Sequence, residues 1–505
     1  MGERPVVRSV DSGGGRGLGG RRLGALVTGV AGERPGYRAL AQGVRTLLLD
    51  GRIPLHTRLP AEREFAASLG VSRATVTAAY DLLRESGYAH SRRGAGTWTE
   101  LPEGARPTAV ATPAAGDDVI DLAVAAPGFL EDEMSAAYAA AAPDVARHAL
   151  TNGYHPYGLP ELRARIAERY TRRGLPTLPE QILVTTGAQQ AVSLTLTLLG
   201  RPGDRILVEN PSYANALSVI RQLGMRTAPV PVTEDGWDVE LIGATLRQSA
   251  PRLAYLIPDF QNPTGRLMPG EQRRRIIAAA RATGTWLVID ETIADIALDG
   301  VREPPFASLA PPGGGEQIVT VGSLSKGHWS GLRVGWVRAG TRLITELTTL
   351  RVTADMSGSV LDQLVAGRLL DREESILAGR IPVLRERRDR LTEALRREFP
   401  DWRWQLPPGG LSLWVDLGRP IASALGRAAL RHGVRIEGGS RFGADPGTFE
   451  HRLRVPYVQP VDVAEEAVRR IAASVDKAAD AGGGLGGFGG FGGAGEEPGR
   501  PHWVA

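Results

Sequence analysis

The chain contains 505 residues, of which 42% are hydrophobic and 23% are charged, which predicts a globular protein of about two to four domains. No apolar run approaches the roughly 20 residues that span a bilayer, and no secretory signal is visible, which excludes a membrane protein and predicts a cytoplasmic one. The absence of cysteine excludes disulfides and thiolate metal sites, and the eight scattered histidines predict no metal site.

The basic residues are distributed unevenly along the chain. Residues 37–99 hold nine arginines against five acidic residues, an excess that suits a polyanionic partner but is also found on ordinary solvated surfaces. Lysine is rare, since only Lys326 and Lys477 occur among 60 basic residues. Because Lys477 adjoins a glycine-rich tail, Lys326 is the one credible position for Schiff-base chemistry.

Composition divides the chain into five segments. A glycine- and arginine-rich leader at residues 1–34 and a glycine-rich tail at residues 477–505 are predicted to be disordered, because they contain too little apolar surface to fold. A linker at residues 101–118, rich in proline and alanine, separates a small domain at residues 35–100 from a large domain at residues 119–476.

The small domain is predicted to contain three helices and a two-stranded wing. Apolar residues at helical spacing run from Tyr37 to Asp50, a second helix stops at Gly70, and Ser72 caps a third that ends at Gly87. Two short helices joined through Gly70 indicate a helix-turn-helix. The stretch YAHSRRGAGTWTE has a glycine turn between β-prone flanks, which predicts the wing.

A unit of this kind would place the start of the third helix in the major groove, with Arg73 and Thr75 at base edges. The stretch RLPAEREFAASLGVSRATVTAAYDLLRESGY and the wing RRGAGTW resemble the GntR-type winged helix, which implies a double-stranded DNA operator as partner. The predicted DNA-contacting residues are Arg63, Ser72, Arg73, Thr75, Arg92, Arg93 and Gly94. The alternative is a helical oligomerisation domain whose arginines are only solvated.

The large domain alternates apolar β-like runs with helical ones, as in QILVTTG, DRILVEN, RLAYLIPD and TWLVIDE. This alternation predicts an α/β fold with a mainly parallel sheet and helices on both faces. Ligands bind where the strands of such a sheet end, so the polar residues that follow each run are the candidates for chemistry.

Two of these strand ends give signals that are weak when taken singly. Gly187, Ala188 and Gln189 begin a helix whose free N–H groups favour a phosphate, although an ordinary strand-to-helix turn fits as well. Tyr213 offers a ring for stacking on a planar cofactor, although a buried core tyrosine fits as well.

The following strand ends carry more distinctive residues. Asn262 precedes a Pro-Thr-Gly turn, and Asp290 ends a strand, where a carboxylate suits the N–H of a pyridinium ring. The next run ends in GSLSK, which supplies Ser323 and Lys326, and Arg333 follows in GLRVGW.

In this order the motifs resemble those of the fold-type I aminotransferases over residues 119–475, and the fusion to a GntR-like head resembles the MocR-type (GabR-type) regulators. The resemblance implies a smaller C-terminal subdomain, pyridoxal 5′-phosphate (PLP) as cofactor and a homodimer. Lys326 would form the internal aldimine, Asp290 would pair with the pyridine nitrogen, Asn262 would bond the ring hydroxyl and Tyr213 would stack on the ring.

The same resemblance assigns the cofactor's phosphate and the ligand's carboxylate. Gly187, Ser323, Arg333 and the N–H groups of Ala188 and Gln189 would surround the phosphate, with Tyr154 from the second subunit. In HRLRVPY, Arg452 resembles the residue that grips the α-carboxylate and is preferred here, while Arg454 is the alternative. The family usually has tyrosine two residues after the aspartate, where this chain has Thr292; this departure bears on efficient full transamination more than on cofactor binding and leaves residual or partial activity open.

These features predict a DNA-binding transcription regulator that senses an amino compound, or PLP itself, through aldimine chemistry at Lys326. One alternative is a working aminotransferase with an autoregulatory or vestigial head, and another is an architectural DNA-binding protein that has lost the cofactor. The joint presence of Lys326, Asp290 and Asn262 argues against the architectural protein that has lost the cofactor. The intact DNA-reading residues of the head argue against the aminotransferase with a vestigial head.

Overall fold

The computed structural model describes four stretches of the chain, residues 18–92, 96–102, 118–128 and 130–483. The chain divides into two compact units, a small one at the N-terminal end and a larger one that follows. Arg93 and Gly94, which are predicted to contact DNA, lie outside the described residues, as do the side chain of Arg92 and residues 103–117 of the predicted linker.

The N-terminal unit is a bundle of helices followed by a two-stranded antiparallel ribbon. Its elements are α1 (Gly20–Ala31), α2 (Tyr37–Leu49), α3 (Glu62–Leu69), α4 (Arg73–Glu85), β1 (Ala89–Arg92) and β2 (Gly96–Thr99). The predicted helix-turn-helix and wing are therefore confirmed. Their core is built from fully buried apolar residues, among them Leu40, Val44, Leu47, Phe65 and Val76.

The prediction that the whole leader is disordered is wrong for residues 20–31, which form α1 and belong to the core of this unit. Leu23 and Val27 are 0% exposed, and the glycines on the same helix face bring α1 against α3. A Cβ at Gly24 would lie 3.0 Å from the Ser68 hydroxyl. The glycine content that predicts disorder thus allows close packing of α1 on α3. The small domain therefore begins before residue 35. Residues 1–17 lie outside the described part of the chain.

The turn between α3 and α4 has the geometry that the sequence predicts. Gly70 ends α3 in the left-handed conformation at φ 65°, which glycine adopts without steric cost. Ser72 then caps α4, and its hydroxyl accepts a hydrogen bond from the Thr75 N–H at 3.1 Å. The Tyr80 hydroxyl donates to the Pro60 carbonyl at 2.9 Å, which ties α4 to the segment before α3.

The larger unit is an α/β structure. Its helices are α5 (Glu131–His148), α6 (Pro160–Arg172), α7 (Ala188–Leu199), α8 (Ala214–Gln222), α9 (Val239–Ser249), α10 (Gly270–Thr283), α11 (Thr341–Val352), α12 (Val360–Leu370), α13 (Glu373–Glu398), α14 (Ala422–Arg431) and α15 (Val461–Gly483). Its strands are β3 (Ile120–Leu122), β4 (Ile182–Thr185), β5 (Arg205–Asn210), β6 (Arg226–Thr233), β7 (Gly236–Trp237), β8 (Leu253–Leu256), β9 (Trp286–Asp290), β10 (Ile318–Ser323), β11 (Gly335–Arg338), β12 (Ser412–Asp416), β13 (Val434–Gly438) and β14 (Arg452–Pro456).

The main sheet has the strand order β4-β11-β10-β9-β8-β5-β6-β7. The pairs among β10, β9, β8, β5 and β6 are parallel, while β11 and the short β7 run antiparallel to their neighbours. Helices cover both faces, so Leu207 packs in one apolar cluster while Ile206 and Val208 pack in the other. Burial on both faces explains the continuous apolar runs in the sequence and confirms the mainly parallel α/β fold.

A second, smaller sheet has the order β12-β14-β13-β3 and, with α14 and α15, forms the expected smaller subdomain. Its edge strand β3 comes from the start of the unit and pairs in parallel with β13. The predicted disordered tail starts too early, because α15 continues to Gly483, and residues 484–505 lie outside the described part. Among the described helices, none is long and apolar enough to cross a membrane.

Candidate cofactor and DNA-binding sites

The residues that follow the parallel strands meet at one edge of the main sheet. Asp290 ends β9, Lys326 follows β10, Asn262 follows β8 and Tyr213 follows β5, so the shared strand direction brings them together. Asn262 and Lys326 line one small cavity, whose walls also include Ala125 and the apolar side chains of Phe260, Ile293 and Leu411.

Asp290 is 4% exposed and is held by three donors. Its Oδ2 accepts a hydrogen bond from the Tyr255 hydroxyl at 2.6 Å. Its Oδ1 accepts from the Thr292 hydroxyl at 2.6 Å and from the Thr292 N–H at 3.0 Å. Sequence reasoning missed Tyr255, although a tyrosine in the fully buried run LAYL required a partner for its hydroxyl and was a usable signal.

Lys326 is placed for chemistry as a neutral amine. Its pKa is lowered to about 7, mainly by burial, with the positive charges of Arg454 and Arg333 acting in the same direction and Asp290 opposing them. Its Nζ donates a hydrogen bond to the Ala125 carbonyl at 2.9 Å. An amine with this pKa is substantially unprotonated at neutral pH, which is the state that attacks a carbonyl group.

A separate group of residues surrounds the N-terminal end of α7. Gly187 has φ 78°, and a Cβ there would lie 2.5 Å from the Arg333 guanidinium, so this position accepts only glycine. Arg333 donates to the Thr186 carbonyl at 3.0 Å. Ser323 lies at the end of β10, where its hydroxyl contacts the Ser325 hydroxyl at 2.8 Å. Ser325 is a further polar group here that sequence reasoning did not select.

Tyr213 is half-buried, and its hydroxyl accepts a hydrogen bond from the Asn215 amide at 2.9 Å. Its pKa is raised to about 12, mainly by burial, with Asp290 acting in the same direction and Asn215, Arg454 and Arg333 opposing it. Because Tyr213 follows β5, it lies at the same edge of the sheet as Asp290 at the end of β9. Tyr154 differs, since it lies in the loop between α5 and α6 with its side chain 55% exposed.

By position, the structure favours the alternative Arg454 over the preferred Arg452. Arg454 is fully buried, its Nη1 donates to Asn262 Oδ1 at 3.3 Å, and another guanidinium nitrogen bonds the Ala123 carbonyl. Arg452 instead faces Asp416 at 3.2 Å and the more distant Glu234. Both arginines lie on one face of β14, but only Arg454 reaches the residues around Lys326.

The predicted base-reading residues occupy the start of α4. Arg73 is 72% exposed and pairs with Glu62 at 3.2 Å, an exposed ion pair of small energetic value. The Thr75 and Ser72 hydroxyls contact each other at 2.8 Å. Arg63 is exposed on the preceding helix. The start of α4 thus presents a cation and two hydroxyl groups at one helix end.

Comparison with known families agrees with this geometry. The family model described as "Aminotransferase class I and II" matches residues 117–471. The chain belongs to this family. The model described as "Bacterial regulatory proteins, gntR family" matches residues 36–98, so a DNA-binding gntR head precedes the aminotransferase body. The MocR-type fusion that the sequence predicts is confirmed.

Relatives of both kinds resemble this gntR-aminotransferase chain. It is 28% identical to the uncharacterized HTH-type transcriptional regulator YdcR of Escherichia coli, over 80% of this chain and 92% of the relative. It is 31% identical to the probable rhizopine catabolism regulatory protein MocR of Rhizobium meliloti, over 60% of this chain and 65% of the relative. LysN, the α-aminoadipate aminotransferase of Thermus thermophilus solved with N-(5′-phosphopyridoxyl)-L-leucine, is 30% identical with a TM-score of 0.68, over 75% of this chain and 97% of LysN.

Proposed function

We propose that this MocR-type protein is a PLP-dependent transcription regulator that binds a DNA operator as a homodimer and senses an amino compound at Lys326. One observation carries the proposal. A single chain holds a winged helix with an exposed reading end and a half-buried lysine of pKa about 7, on which the charges of Asp290 and Arg454 act. The first feature serves DNA binding, and the second serves reversible capture of an amine.

The residues present fit PLP at each part of that molecule. Asp290 is a buried carboxylate suited to the pyridine nitrogen, and Asn262 can donate its amide to the ring hydroxyl because its Oδ1 already accepts from Arg454. Tyr213 would stack on the ring, and Lys326 would hold the cofactor covalently. When bound, PLP supplies an aldehyde that condenses with amines and a ring that stabilises negative charge.

The phosphate of PLP would lie at the start of α7. The N–H groups of Ala188 and Gln189 point out of the helix end there, where the helix dipole favours an anion. Arg333 supplies a positive charge, Ser323 supplies a hydroxyl, and the missing side chain of Gly187 leaves room for the Arg333 guanidinium. In a homodimer, the exposed Tyr154 would extend into the second subunit's phosphate site.

Arg454 would bind the carboxylate of the effector. Burial lowers its pKa to about 10, which still leaves it charged at neutral pH. The cavity beside Lys326 has apolar walls that include Phe260 and Leu411, and Asn262 in its lining accepts a hydrogen bond from Arg454, so this guanidinium would bind a carboxylate that enters past Asn262. The arrangement favours an amino acid over an amine without a carboxylate.

The test is an operator-binding titration with PLP and a panel of amino acids and amines, on the wild-type protein and on Lys326→Ala. We expect one or more amino acids to change operator affinity in the wild type, and Lys326→Ala to bind the operator without responding. Operator binding that is independent of PLP and of every amine in both proteins would contradict sensing and favour an architectural role.

A second candidate function is aminotransferase catalysis, which the intact cofactor residues and the likeness to LysN favour. The Thr292 hydroxyl donates to Asp290, and this chain has no phenol at that position to assist the ring oxygen. Multiple-turnover formation of an oxo acid from the effector would favour this candidate, whereas binding without turnover favours the sensor.

A further inference from the structure

Tyr255 lies in the middle of the main sheet and is 0% exposed. It occupies β8 beside β9, where Tyr255 pairs in register with Val288, two residues before Asp290. Residues two apart in a strand share a face, so Tyr255 reaches Asp290 from the neighbouring strand. The hydroxyl donates to Asp290 Oδ2 at 2.6 Å, a short distance typical of a hydrogen bond to a charged oxygen.

The donors around Asp290 leave one position open. An ionised carboxylate has about four acceptor sites, two on each oxygen. Thr292 fills two on Oδ1 with its hydroxyl and its N–H, and Tyr255 fills one on Oδ2. The acceptor site that remains is therefore on Oδ2, the atom that Tyr255 contacts. A pyridinium N–H bound to Asp290 would share that oxygen with the Tyr255 hydroxyl.

We propose that Tyr255 is a positioning residue that holds the proton on the ring nitrogen of bound PLP, acting through Asp290 Oδ2. The proposal rests on the proposed function and extends it to a residue outside the cofactor's own contacts. A hydrogen bond to the charged form of an acid stabilises that form, so the Tyr255 hydroxyl makes Asp290 a weaker base. The proton shared between Asp290 and the ring then stays on nitrogen, where it draws electrons into the ring.

Tyr255 keeps its own proton in this arrangement. Burial and the adjacent Asp290 raise its pKa well above the ordinary value, so the phenol stays protonated and acts as a donor only. Its aromatic ring packs with Ile206, Val208 and Val288 in the core. Replacement by phenylalanine therefore removes the hydroxyl while leaving the packed ring in place.

The experiment measures the ¹⁵N chemical shift of PLP labelled at the ring nitrogen, bound at saturation to the full-length wild type and to Tyr255→Phe. We expect a protonated-ring resonance in the wild type and a clear move toward the unprotonated position in Tyr255→Phe, with PLP binding weakened about tenfold. Thr292→Val is the matched second variant. It should move the resonance in the same direction but less, because the Thr292 N–H still donates to Oδ1.

The outcomes separate this inference from the function on which it rests. A wild type that binds no PLP would overturn the proposed function together with the inference. An unchanged ring-nitrogen resonance in PLP-bound Tyr255→Phe would overturn the inference alone. A lower melting temperature with an unchanged resonance would also overturn it, because it would show that the hydroxyl contributes only to folding.

Discussion

Arg454 and Asn262 are joined by a hydrogen bond of 3.3 Å from the guanidinium Nη1 to the amide Oδ1. The bond connects the cation proposed for the effector's carboxylate to the amide proposed for the ring hydroxyl of PLP. It also fixes the amide orientation, because an Oδ1 that accepts from Arg454 leaves Nδ2 as the donor toward the ring. If the effector's carboxylate binds Arg454 as proposed, its binding would be linked to the proposed cofactor contact of Asn262.

Arg454→Met should selectively weaken the binding of effectors that carry a carboxylate. Loss of a charge-assisted pair predicts about 10- to 100-fold weaker binding of an amino acid, and little change for the corresponding decarboxylated amine. The measurement is a spectroscopic titration of the PLP-loaded protein with each ligand of the pair. Arg452→Met is the matched control on the same strand, and an equal effect of the two variants would contradict the assignment to Arg454.

PLP should be bound covalently at Lys326. Reduction of the PLP-treated protein with borohydride, followed by peptide mapping, should place the pyridoxyl group on the peptide that contains this residue. The physical reason is that Lys326 has a pKa of about 7 and follows β10 at the same sheet edge as Asp290. A pyridoxyl group on Lys477, or on neither lysine, would refute the PLP assignment.

The reactivity of Lys326 should rise with pH around 7. A pKa lowered from 10.5 to about 7 means that the neutral amine is the minor form below pH 7 and the major form above it. Labelling of the PLP-free protein by an amine-selective reagent, followed residue by residue, should therefore have its midpoint near pH 7. Nα-acetyl-lysine serves as the control with the ordinary midpoint.

The Arg454→Met variant should move this midpoint upward, because Arg454 is one of the charges that lower the pKa of Lys326. The direction of the shift checks the arrangement of charges independently of any ligand. A midpoint that stays near that of Nα-acetyl-lysine in the wild type would contradict the lowered pKa of Lys326.

In the DNA-binding head, Arg73→Ala and Arg63→Ala should have different effects. A base-edge contact from Arg73 would contribute roughly 1–3 kcal/mol of discrimination, so its removal should lower the ratio of specific to non-specific binding. Arg63→Ala should weaken both kinds of binding and reduce the salt dependence, as expected for a phosphate contact. Binding titrations at several salt concentrations distinguish the two patterns, and unchanged site preference in Arg73→Ala would exclude the proposed placement of α4.

The packing of α1 predicts opposite effects at two glycines of the same helix. Gly24→Val should destabilise the packing of α1 on α3, since even a Cβ at this position would lie 3.0 Å from Ser68 Oγ. Gly29→Ala should stabilise the helical conformation of α1, because nothing lies within 4 Å of the new methyl group and alanine favours a helix over glycine by about 1 kcal/mol. Hydrogen exchange of peptides covering residues 20–31 should speed up in the first variant and slow down in the second. Equal exchange in both would contradict the packing of α1 on α3.

Much of the site could be predicted from local sequence because strand direction determines where the ends of strands lie. Asp290, Asn262 and Tyr213 each follow a parallel strand, so their meeting at one sheet edge needs only the strand order and direction. Ser72 and Gly70 could be predicted for the same reason, since a helix cap and a left-handed turn are set by a few adjacent residues. These features depend on neighbours in the chain.

The features that local sequence did not predict depend on distances between elements far apart in the chain. The composition of α1 is that of a flexible leader, and only its contact with α3 explains why its glycines are buried. Tyr255 on β8 contacts Asp290 on β9, and these two paired strands are separated along the chain by α10. The sequence around Tyr255 indicates that its hydroxyl needs a partner, but it does not indicate which residue that partner is.

The sequence by itself determined the two domain types, the chemical groups and the order in which they occur, because hydrophobic period, caps and strand-end residues are local properties of the chain. Only the tertiary structure shows which of Arg452 and Arg454 lies beside Asn262. Because the two arginines are two residues apart on one strand, their side chains lie on the same face, and the alternating pattern of a strand cannot distinguish them. The packing of β14 against the loop after β8 brings one guanidinium to Asn262 and leaves the other beside Asp416.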